Sequence, residues 1–218
     1  MNSRLSYAVF GLGRYGKAVA CELVRQGADV LAVDINEDVV NSVVSEIPYC
    51  KCADITDTDV LMQLGISHID VVVIAVASNL EVSVLATMLC KEIGVKNVIA
   101  KCANEMNYKI LSKVGADRVV FPEKESGIHL AKALLLPDFN ELMELSNDVS
   151  IIQIDIQPEW EGKTIRELSL RKRYSINIIA VINDNQLNID IDPDLRLEKP
   201  MNLVVVSYTS KLNKLLGN

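Results

Sequence analysis

The stretch YAVFGLGRYG, residues 7–16, places three glycines in the spacing GxGxxG directly after a short apolar run. The apolar run predicts a strand, and the later apolar positions Val19, Leu23 and Val24 predict that a helix follows the glycines. In such a unit one glycine permits a tight turn, one lets the backbone approach a phosphate, and one lets the helix pack near the strand. Because the first N–H groups of the helix also face the turn, the stretch predicts a phosphate-binding loop.

Strand and helix patterns alternate regularly beyond this loop. The predicted strands are residues 7–10, 30–33, 49–53, 71–77, 98–100 and 118–121. The run at 71–77 is apolar throughout, which is typical of a central strand covered on both faces. A β-α-β-α order implies parallel strands joined by right-handed crossovers. Residues 1–123 are therefore predicted to form a doubly wound, Rossmann-like α/β domain.

The pattern changes after this domain. Residues 124–146 are rich in apolar residues and are interrupted by Pro137, which predicts two bridging helical pieces with a break at that proline. Residues 147–218 are β-rich around one short helical segment. The predicted strands are 150–156, 176–182 and 203–206, and the predicted helix is 164–170. Because this part is too short for a second domain of the same kind, we expect a small α+β lobe.

The composition excludes several kinds of partner. Half of the 218 residues are hydrophobic and the net charge is −7. That charge argues against nonspecific binding to nucleic acid or an anionic membrane, since both bind basic surfaces. The longest apolar run, residues 71–77, is far shorter than the roughly 20 residues that span a bilayer. The N-terminal residues show no signal-peptide layout. The sequence therefore predicts a cytoplasmic protein that binds no nucleic acid.

The cysteines and histidines show no catalytic or metal-binding pattern. An odd number of scattered cysteines is typical of free thiols in a reducing compartment. Cys50 and Cys52 are separated by one residue, and no second pair lies near them in the sequence to complete a zinc site. The remaining cysteines and the two histidines are Cys21, Cys90, Cys102, His68 and His129. We expect structural roles for the thiols and structural or surface roles for the histidines.

Two aspartates follow predicted strands at positions suited to a nucleoside. Asp34 lies about 18 residues after Gly16, near the spacing of the carboxylate that hydrogen-bonds ribose hydroxyls. The alternative role of Asp34 is that of a turn residue or helix N-cap. An acidic residue there also disfavours a 2′-phosphate, which makes NADP a poor ligand. Asp54 follows the third predicted strand, where it could meet the amino group of adenine or, alternatively, cap the next helix.

The charge inside the glycine loop favours a nucleotide with several phosphates. Arg14 brings a fixed positive charge into the phosphate region, for which a dehydrogenase has little use. A polyphosphate, or the nucleotide of a neighbouring subunit, would pair with it. The sequence contains neither a Ser-His-Asp nor a Cys-His order, and it lacks a P-loop lysine motif. These features indicate a nucleotide sensor rather than an enzyme.

Several short motifs, in a fixed order over almost the whole chain, together resemble one protein family. They are GLGRYG at 11–16, AVDINE at 32–37, ADITD at 53–57, LGI at 64–66, GADR at 115–118 and PEK at 122–124. These motifs resemble the RCK (KTN) regulatory subunits of bacterial K⁺ uptake systems, of the TrkA-like KtrA/KtrC type. Residues 170–178, LRKRYSINI, are similar to the small RCK-C lobe of that family. The first domain would then be the RCK-N domain.

The resemblance implies a regulatory protein that is not an enzyme. Members of the family assemble as homodimers and then as a homo-octameric ring beneath a separate membrane subunit that conducts K⁺. The ring is cytoplasmic and peripheral to the inner face of the cell membrane. ATP and ADP compete for the Rossmann site, and their exchange changes the geometry of the ring and gates the pore.

The resemblance also implies a set of nucleotide-binding residues. These are Gly11, Gly13, Arg14, Tyr15, Gly16, Asp34, Ile35, Asp54, Ile55, Ala75, Lys101 and Glu123. Among them, Arg14 would reach the γ-phosphate across the dimer, and Lys101 would lie near the phosphates. Glu123 would bind a divalent or monovalent cation, the predicted metal of the site.

For the small lobe, the resemblance implies cyclic di-AMP at the dimer interface. Arg171 would pair with a phosphate, and Asn177 with the backbone or a base of the ligand. The residues of the apolar floor would be Ile176, Ile178 and Pro193. The alternative is that the basic residues around Arg171 form a solvated surface and that the isoleucines belong to the core. The residues alone leave both interpretations open.

Two other functions stay open. A small NAD(H)-dependent oxidoreductase is compatible with Asp34, although Arg14 and the missing catalytic residues weigh against it. A regulator of the same superfamily that serves another cation transporter would share these sequence features, since the membrane partner is a separate chain.

Overall fold

The chain divides into two units, Met1–Glu125 and Ser126–Asn218. The computed structural model describes residues 5–135, 139–144, 149–184, 186–208 and 211. Within these ranges, no helix is both long enough and apolar enough to span a bilayer. Each unit has its own sheet and its own hydrophobic core.

A six-stranded parallel sheet forms the centre of the first unit. Its strands are β1 (Ser6–Phe10), β2 (Asp29–Asp34), β3 (Cys50–Cys52), β4 (Val71–Ile74), β5 (Asn97–Lys101) and β6 (Arg118–Val120). They lie in the order β3-β2-β1-β4-β5-β6. The chain winds outward in one direction from β1 to β3 and in the other from β4 to β6, so the loops after β1 and β4 meet at the centre of one edge. The predicted doubly wound sheet is confirmed.

A helix follows each of the first five strands at the carboxyl edge of this sheet, and polar side chains cap four of these helices. The helices are α1 (Arg14–Arg25), α2 (Glu37–Val43), α3 (Thr58–Gln63), α4 (Leu80–Ile93) and α5 (Glu105–Val114). The side chains of Asn36 and Asp57 each accept two backbone N–H groups from the first turns of α2 and α3. Asn79 and Asn104 each accept one in α4 and α5. Such caps stabilise helix starts by about 1 kcal/mol, and they make this edge polar.

Both faces of the sheet are buried. Along β1, Ala8 and Phe10 pack into one core cluster, whereas Val9 packs into the cluster on the opposite face. The adjacent strand β4 repeats this alternation with Ile74 and Val73. Because helices cover parallel strands of this kind on both sides, β4 is apolar at every position and β1 is apolar from Tyr7 onward.

A five-stranded antiparallel sheet forms the second unit. Its strands are β7 (Phe139–Glu144), β8 (Val149–Asp155), β9 (Asn177–Asn183), β10 (Gln186–Asn188) and β11 (Asn202–Tyr208), in the order β10-β9-β11-β8-β7. Two short helices, α7 (Ile165–Leu168) and α8 (Leu170–Tyr174), complete it. The core holds alternate residues of β8 and β11 together with the fully buried Trp160. The predicted small α+β lobe is confirmed.

The segment between the two sheets contains one described helix rather than two. The helix α6 (Pro122–Leu135) is followed by β7, which pairs antiparallel with β8 through Phe139↔Ile154 and Leu142↔Ile152. The predicted second helical piece is therefore wrong. A segment of six residues is too short to be stable as a helix on its own, whereas the edge of β8 supplies backbone partners. The predicted break at Pro137 lies outside the described residues.

Thiol reactivity should separate the cysteines by burial. Burial raises the pKa of the Cys90 thiol to about 12 and also raises the pKa of the buried Cys102, whereas Cys52 is exposed. Because the thiolate is the reactive form, we expect iodoacetamide at neutral pH to label Cys52 in the folded protein and the two buried thiols only after unfolding in urea. Mass spectrometry of labelled peptides measures this. Cys52→Ser should remove the fastest labelling, and equally fast labelling of Cys90 in the folded chain would contradict its burial.

Candidate functional site

The glycine loop joins β1 to α1 at the carboxyl edge of the parallel sheet. Gly11 has a φ of 86°, in the left-handed region that favours glycine, and its N–H donates to the carbonyl of Val33 at 2.8 Å. A Cβ on Gly11 would lie 2.7 Å from Cγ2 of Val76 and 3.3 Å from the carbonyl carbon of Ala75. Glycine therefore lets the turn fit between the end of β2 and the loop after β4.

The other two glycines of the loop have different tasks. A Cβ on Gly16 would lie 1.8 Å from the carbonyl oxygen of Gly11, so glycine allows α1 to pack directly on the loop. Gly13 is the N-cap of α1, and a Cβ there would have nothing within 4 Å. The first N–H groups of a helix have no acceptors within the helix. The open space at Gly13 is thus suited to an anion such as a phosphate.

Asp34 ends β2 and holds the glycine loop. Its Oδ2 accepts the N–H of Leu12 at 2.6 Å, and its Oδ1 accepts the N–H of Asn36 at 2.9 Å. Of the two alternative roles of Asp34, the helix cap is supplied by Asn36, whereas the turn role is present, since Asp34 accepts the N–H of the residue two positions later. Since each carboxylate oxygen has two lone pairs, both oxygens of Asp34 could also accept hydroxyl groups of a ribose.

Asp54 lies on the neighbouring loop, after β3. Its Oδ1 accepts the backbone N–H of Thr56 at 2.8 Å and the Thr56 hydroxyl at 2.6 Å. These two hydrogen bonds hold the pKa of Asp54 below its ordinary value, and the bond from the hydroxyl makes the larger contribution. The cap of α3 is Asp57, so Asp54 does not serve the capping role that was its alternative.

The loops after β1, β2, β3 and β4 enclose a cleft of about 560 Å³. The predicted nucleotide-binding residues that line it are Gly11, Gly13, Asp34, Ile35, Asp54, Ile55 and Ala75. Nine further lining residues were not among the predicted ones, namely Val33, Asn36, Val39, Ala53, Thr56, Val76, Ser78, Asn79 and Val82. Only their location at or after the ends of the strands could have indicated them, because residues that directly follow the strands of a parallel sheet lie at its ligand-binding edge.

Two other predicted residues, Lys101 and Glu123, form an ion pair beside the predicted residue Tyr15 of α1. The Nζ of Lys101 lies 2.6 Å from Oε1 of Glu123 and 5.5 Å from the centroid of the Tyr15 ring. The Lys101 side chain is 13% exposed and that of Glu123 is 63% exposed. The hydrogen bond from Lys101 lowers the pKa of Glu123, and the charge of Arg14 makes a smaller contribution in the same direction. The structure thus gathers two cations and one carboxylate close to the glycine loop.

Glu123 remains the predicted cation ligand. Across the described part of the chain, no three His, Cys, Asp or Glu side chains are grouped so as to hold a metal ion. A cation at Glu123 would therefore need phosphate oxygens among its ligands, an arrangement in which Mg²⁺ commonly binds with one or two protein carboxylates. Glu123 Oε1 is paired with Lys101 in this structure, so cation binding at Glu123 stays a prediction.

The predicted cyclic di-AMP residues lie around a groove of about 420 Å³ in the second unit. The groove is lined by Arg171, Ile176, Asn177 and Ile178. Pro193 is beside it, since the Pro193 carbonyl accepts the N–H of the lining residue Arg166 at 2.8 Å. Ile176 is 1% exposed and belongs to the core, whereas Arg171 is exposed. The burial of Ile176 and the exposure of Arg171 agree with the alternative, a solvated basic surface beside core isoleucines, and cyclic di-AMP binding stays a prediction.

The sheet order, the glycine loop and the carboxylate at the end of β2 define the class of Rossmann-type nucleotide-binding domains. Residues 7–122 match the TrkA-N domain, and residues 149–217 match the TrkA-C domain. The chain belongs to this TrkA-type, RCK-domain family, and the resemblance noted in its sequence is confirmed.

Similar proteins cover most of the chain. The Ktr system potassium uptake protein A of Bacillus subtilis (strain 168) is 32% identical over 208 residues, which are 95% of this chain and 94% of the relative. Protein C of the same system and organism is 35% identical over 175 residues, 80% of this chain and 79% of the relative. The solved structure of the GsuK channel bound to NAD has a TM-score of 0.66 at 18% identity and covers 100% of this chain and 40% of that chain. This last likeness concerns the fold alone.

Proposed function

We propose that this chain is a cytoplasmic, nucleotide-sensing regulatory subunit of a potassium uptake system. The observation that carries the proposal is the cleft at the carboxyl edge, where the glycine loop and the Asp34 carboxylate are joined by a hydrogen bond of 2.6 Å. Relatives over most of the chain are potassium uptake proteins, which supports the assignment to K⁺ transport. The role is regulatory and not catalytic, and the K⁺ pathway belongs to a separate membrane subunit.

ATP and ADP are the ligands that we infer for the cleft, with a divalent or monovalent cation at Glu123. Arg14 is exposed at the start of α1. We infer that it reaches the γ-phosphate held by a second copy of the chain. That contact would exist with ATP and not with ADP. Only such a difference in contacts shifts a conformational equilibrium. The conformations concerned are those of a homodimer that assembles into an octameric ring beneath the membrane subunit.

The Arg14→Ala variant tests this function. We expect it to weaken ATP binding about tenfold and to leave ADP binding unchanged, because one charge-assisted contact to the γ-phosphate is lost. Calorimetry with ATP and ADP on both proteins measures the change. Arg25→Ala is the matched control, since Arg25 ends the same helix and pairs with Glu22 at 2.7 Å. Equal effects of Arg14→Ala on both nucleotides would contradict the γ-phosphate contact.

The same titration includes NADH, because Asp34 favours a ribose with a free 2′-hydroxyl. The GsuK channel has been solved with NAD and with ADP, so the fold accepts either kind of ligand in that protein. Binding of NADH alone, indifferent to Arg14→Ala and accompanied by hydride transfer to a carbonyl, would favour the alternative, a small NAD(H)-dependent oxidoreductase.

For the groove of the second unit, cyclic di-AMP is the ligand that we infer. Arg171 lines the groove, and Arg173 on the same helix does not appear among the lining residues. We expect Arg171→Ala to weaken cyclic di-AMP binding about tenfold or more, because a charge-assisted phosphate contact is lost, and Arg173→Ala to leave it unchanged. Calorimetry with cyclic di-AMP measures both. Equal losses of cyclic di-AMP affinity in the two variants would indicate general electrostatic attraction and not a specific binding site.

A further inference from the structure

The turn formed by Asp54 and Thr56 fixes the direction of a carboxylate on the β3 side of the cleft. Two donors of Thr56, its backbone N–H and its hydroxyl, point to the same oxygen of Asp54, at 2.8 and 2.6 Å. A carboxylate oxygen has two lone pairs, so these bonds use the capacity of Oδ1. The other oxygen, Oδ2, is then the acceptor that Asp54 can offer to a ligand. The lowered pKa of Asp54 keeps this group ionised and a pure acceptor at neutral pH.

The sheet places this carboxylate where a base would lie. β1, β2 and β3 are consecutive neighbours in the sheet, and the loops that follow them line the cleft in the same order. A nucleotide with its phosphates at Gly13 and its ribose at Asp34 therefore extends its base toward the loop after β3. Ile35, which is 71% exposed, lines this part of the cleft and offers an apolar surface to a ring.

Adenine and guanine present different groups to a carboxylate. Adenine offers its exocyclic amine, which donates a single hydrogen bond to one oxygen. Guanine has a ring N–H beside its exocyclic amine and can donate to both oxygens of a carboxylate at once, and it carries a carbonyl oxygen where adenine has the amine. A carboxylate oxygen that already accepts two hydrogen bonds cannot accept a third from guanine. Guanine then loses one of the two hydrogen bonds of its bidentate contact.

We propose that Thr56 makes the cleft select adenine over guanine by occupying Oδ1 of Asp54. Thr56 is a positioning residue, which acts on the base through Asp54. The inference rests on the proposed function, since it requires a purine nucleotide in the cleft, and it assigns the residue that sets the preference for the base.

Calorimetry with ADP and GDP tests the role of the hydroxyl. In Thr56→Val the hydroxyl is lost and Oδ1 regains one lone pair, so the preference for ADP over GDP should fall about tenfold. Thr56→Ser keeps the hydroxyl and should keep the wild-type preference. Thr58→Val is the matched control, because Thr58 begins α3 and is not a lining residue of the cleft. An unchanged preference in Thr56→Val would overturn the proposal.

Asp54→Asn gives a second, independent test. The two donors of Thr56 should hold the amide oxygen of Asn at Oδ1 and so turn its NH₂ group toward the base. That group opposes the amine of adenine and favours the carbonyl oxygen of hypoxanthine or guanine. We expect the preference to reverse toward inosine diphosphate, and the reversal to weaken when Thr56→Val is added. If Thr56 has a purely structural role, adding Thr56→Val to Asp54→Asn will leave the reversed preference unchanged. That result would overturn the proposal.

The outcomes separate this proposal from the function on which it rests. If the wild-type chain binds none of the three diphosphates, the proposed function fails. If it binds ADP and every variant keeps the wild-type preference, only the role of Thr56 fails. Circular dichroism melting of each variant establishes that it is folded. If Thr56→Val does not fold, Thr56→Ala, which also lacks the hydroxyl, replaces it in both tests.

Discussion

Gly16→Ala should destabilise the first unit by about 3 kcal/mol or more, although alanine ordinarily stabilises a helix by about 1 kcal/mol relative to glycine. The sign reverses because the new Cβ would lie 1.8 Å from the carbonyl oxygen of Gly11 and 3.0 Å from the Cβ of Ala75. Neither neighbour is the end of a flexible side chain, so α1 and the loop must separate. Urea unfolding followed by circular dichroism measures the loss.

Gly13→Ala is the matched control within the same loop. Its Cβ would meet nothing within 4 Å, so the loss of stability should be limited to the poorer N-capping by alanine, about 1 kcal/mol or less. Under the proposed function, however, that methyl group enters the space that a phosphate approaches, and ADP binding should be lost. Wild-type stability of Gly16→Ala would contradict the packing of α1 on the loop. Wild-type ADP binding by Gly13→Ala would contradict the location of the phosphates.

Asp34→Ala should weaken ADP binding about 100-fold. Two hydrogen bonds from ribose hydroxyls to a charged acceptor, each contributing about 1.5 kcal/mol, correspond to a change of that size. The substitution also removes the acceptor for the N–H of Leu12, which lies 2.6 Å from Oδ2, so the glycine loop loses one of its supports. Calorimetry with ADP gives the affinity.

A second aspartate of β2 provides the control for this result. Asp29 begins the strand that Asp34 ends, and it is exposed at the opposite edge of the sheet. Asp29→Ala changes the net charge of the protein equally and should bind ADP as the wild type does. A similar loss in both variants would assign the effect to charge alone, and full affinity in Asp34→Ala would exclude the ribose contact.

Much of the first unit could be predicted because its sequence signals are local. A strand buried on both faces is apolar at every position, as β4 is, and no information from distant residues is needed to recognise it. The glycine spacing likewise indicated which backbone positions must approach something closely. The structure supplies the partners, which are Val76 for Gly11 and the Gly11 carbonyl for Gly16.

The features that could not be predicted depend on contacts between distant parts of the chain. Residues 139–144 form a strand because the edge of β8 is available to them, which no pattern within the segment records. Ser78 and Asn79 line the cleft because β4 is the neighbour of β1. The ring of Tyr15 lies beside Lys101, although the two residues are far apart in the sequence of the first unit. The sequence did not indicate Thr56 as a site residue, because its proposed role depends on the position of one oxygen of Asp54.

The two ends of the proposed nucleotide would be recognised at places with very different tolerance of mutation. β1 lies in the middle of its sheet, and the loop after it is fixed by contacts to the neighbouring strands. β3 is an edge strand of three residues, and the side chains of Asp54 and Thr56 that follow it are exposed and half-buried. Substitutions there disturb no core packing. Under the proposed function, a few surface substitutions would therefore change the base that is recognised, whereas substitutions in the phosphate-binding loop would disturb its packing.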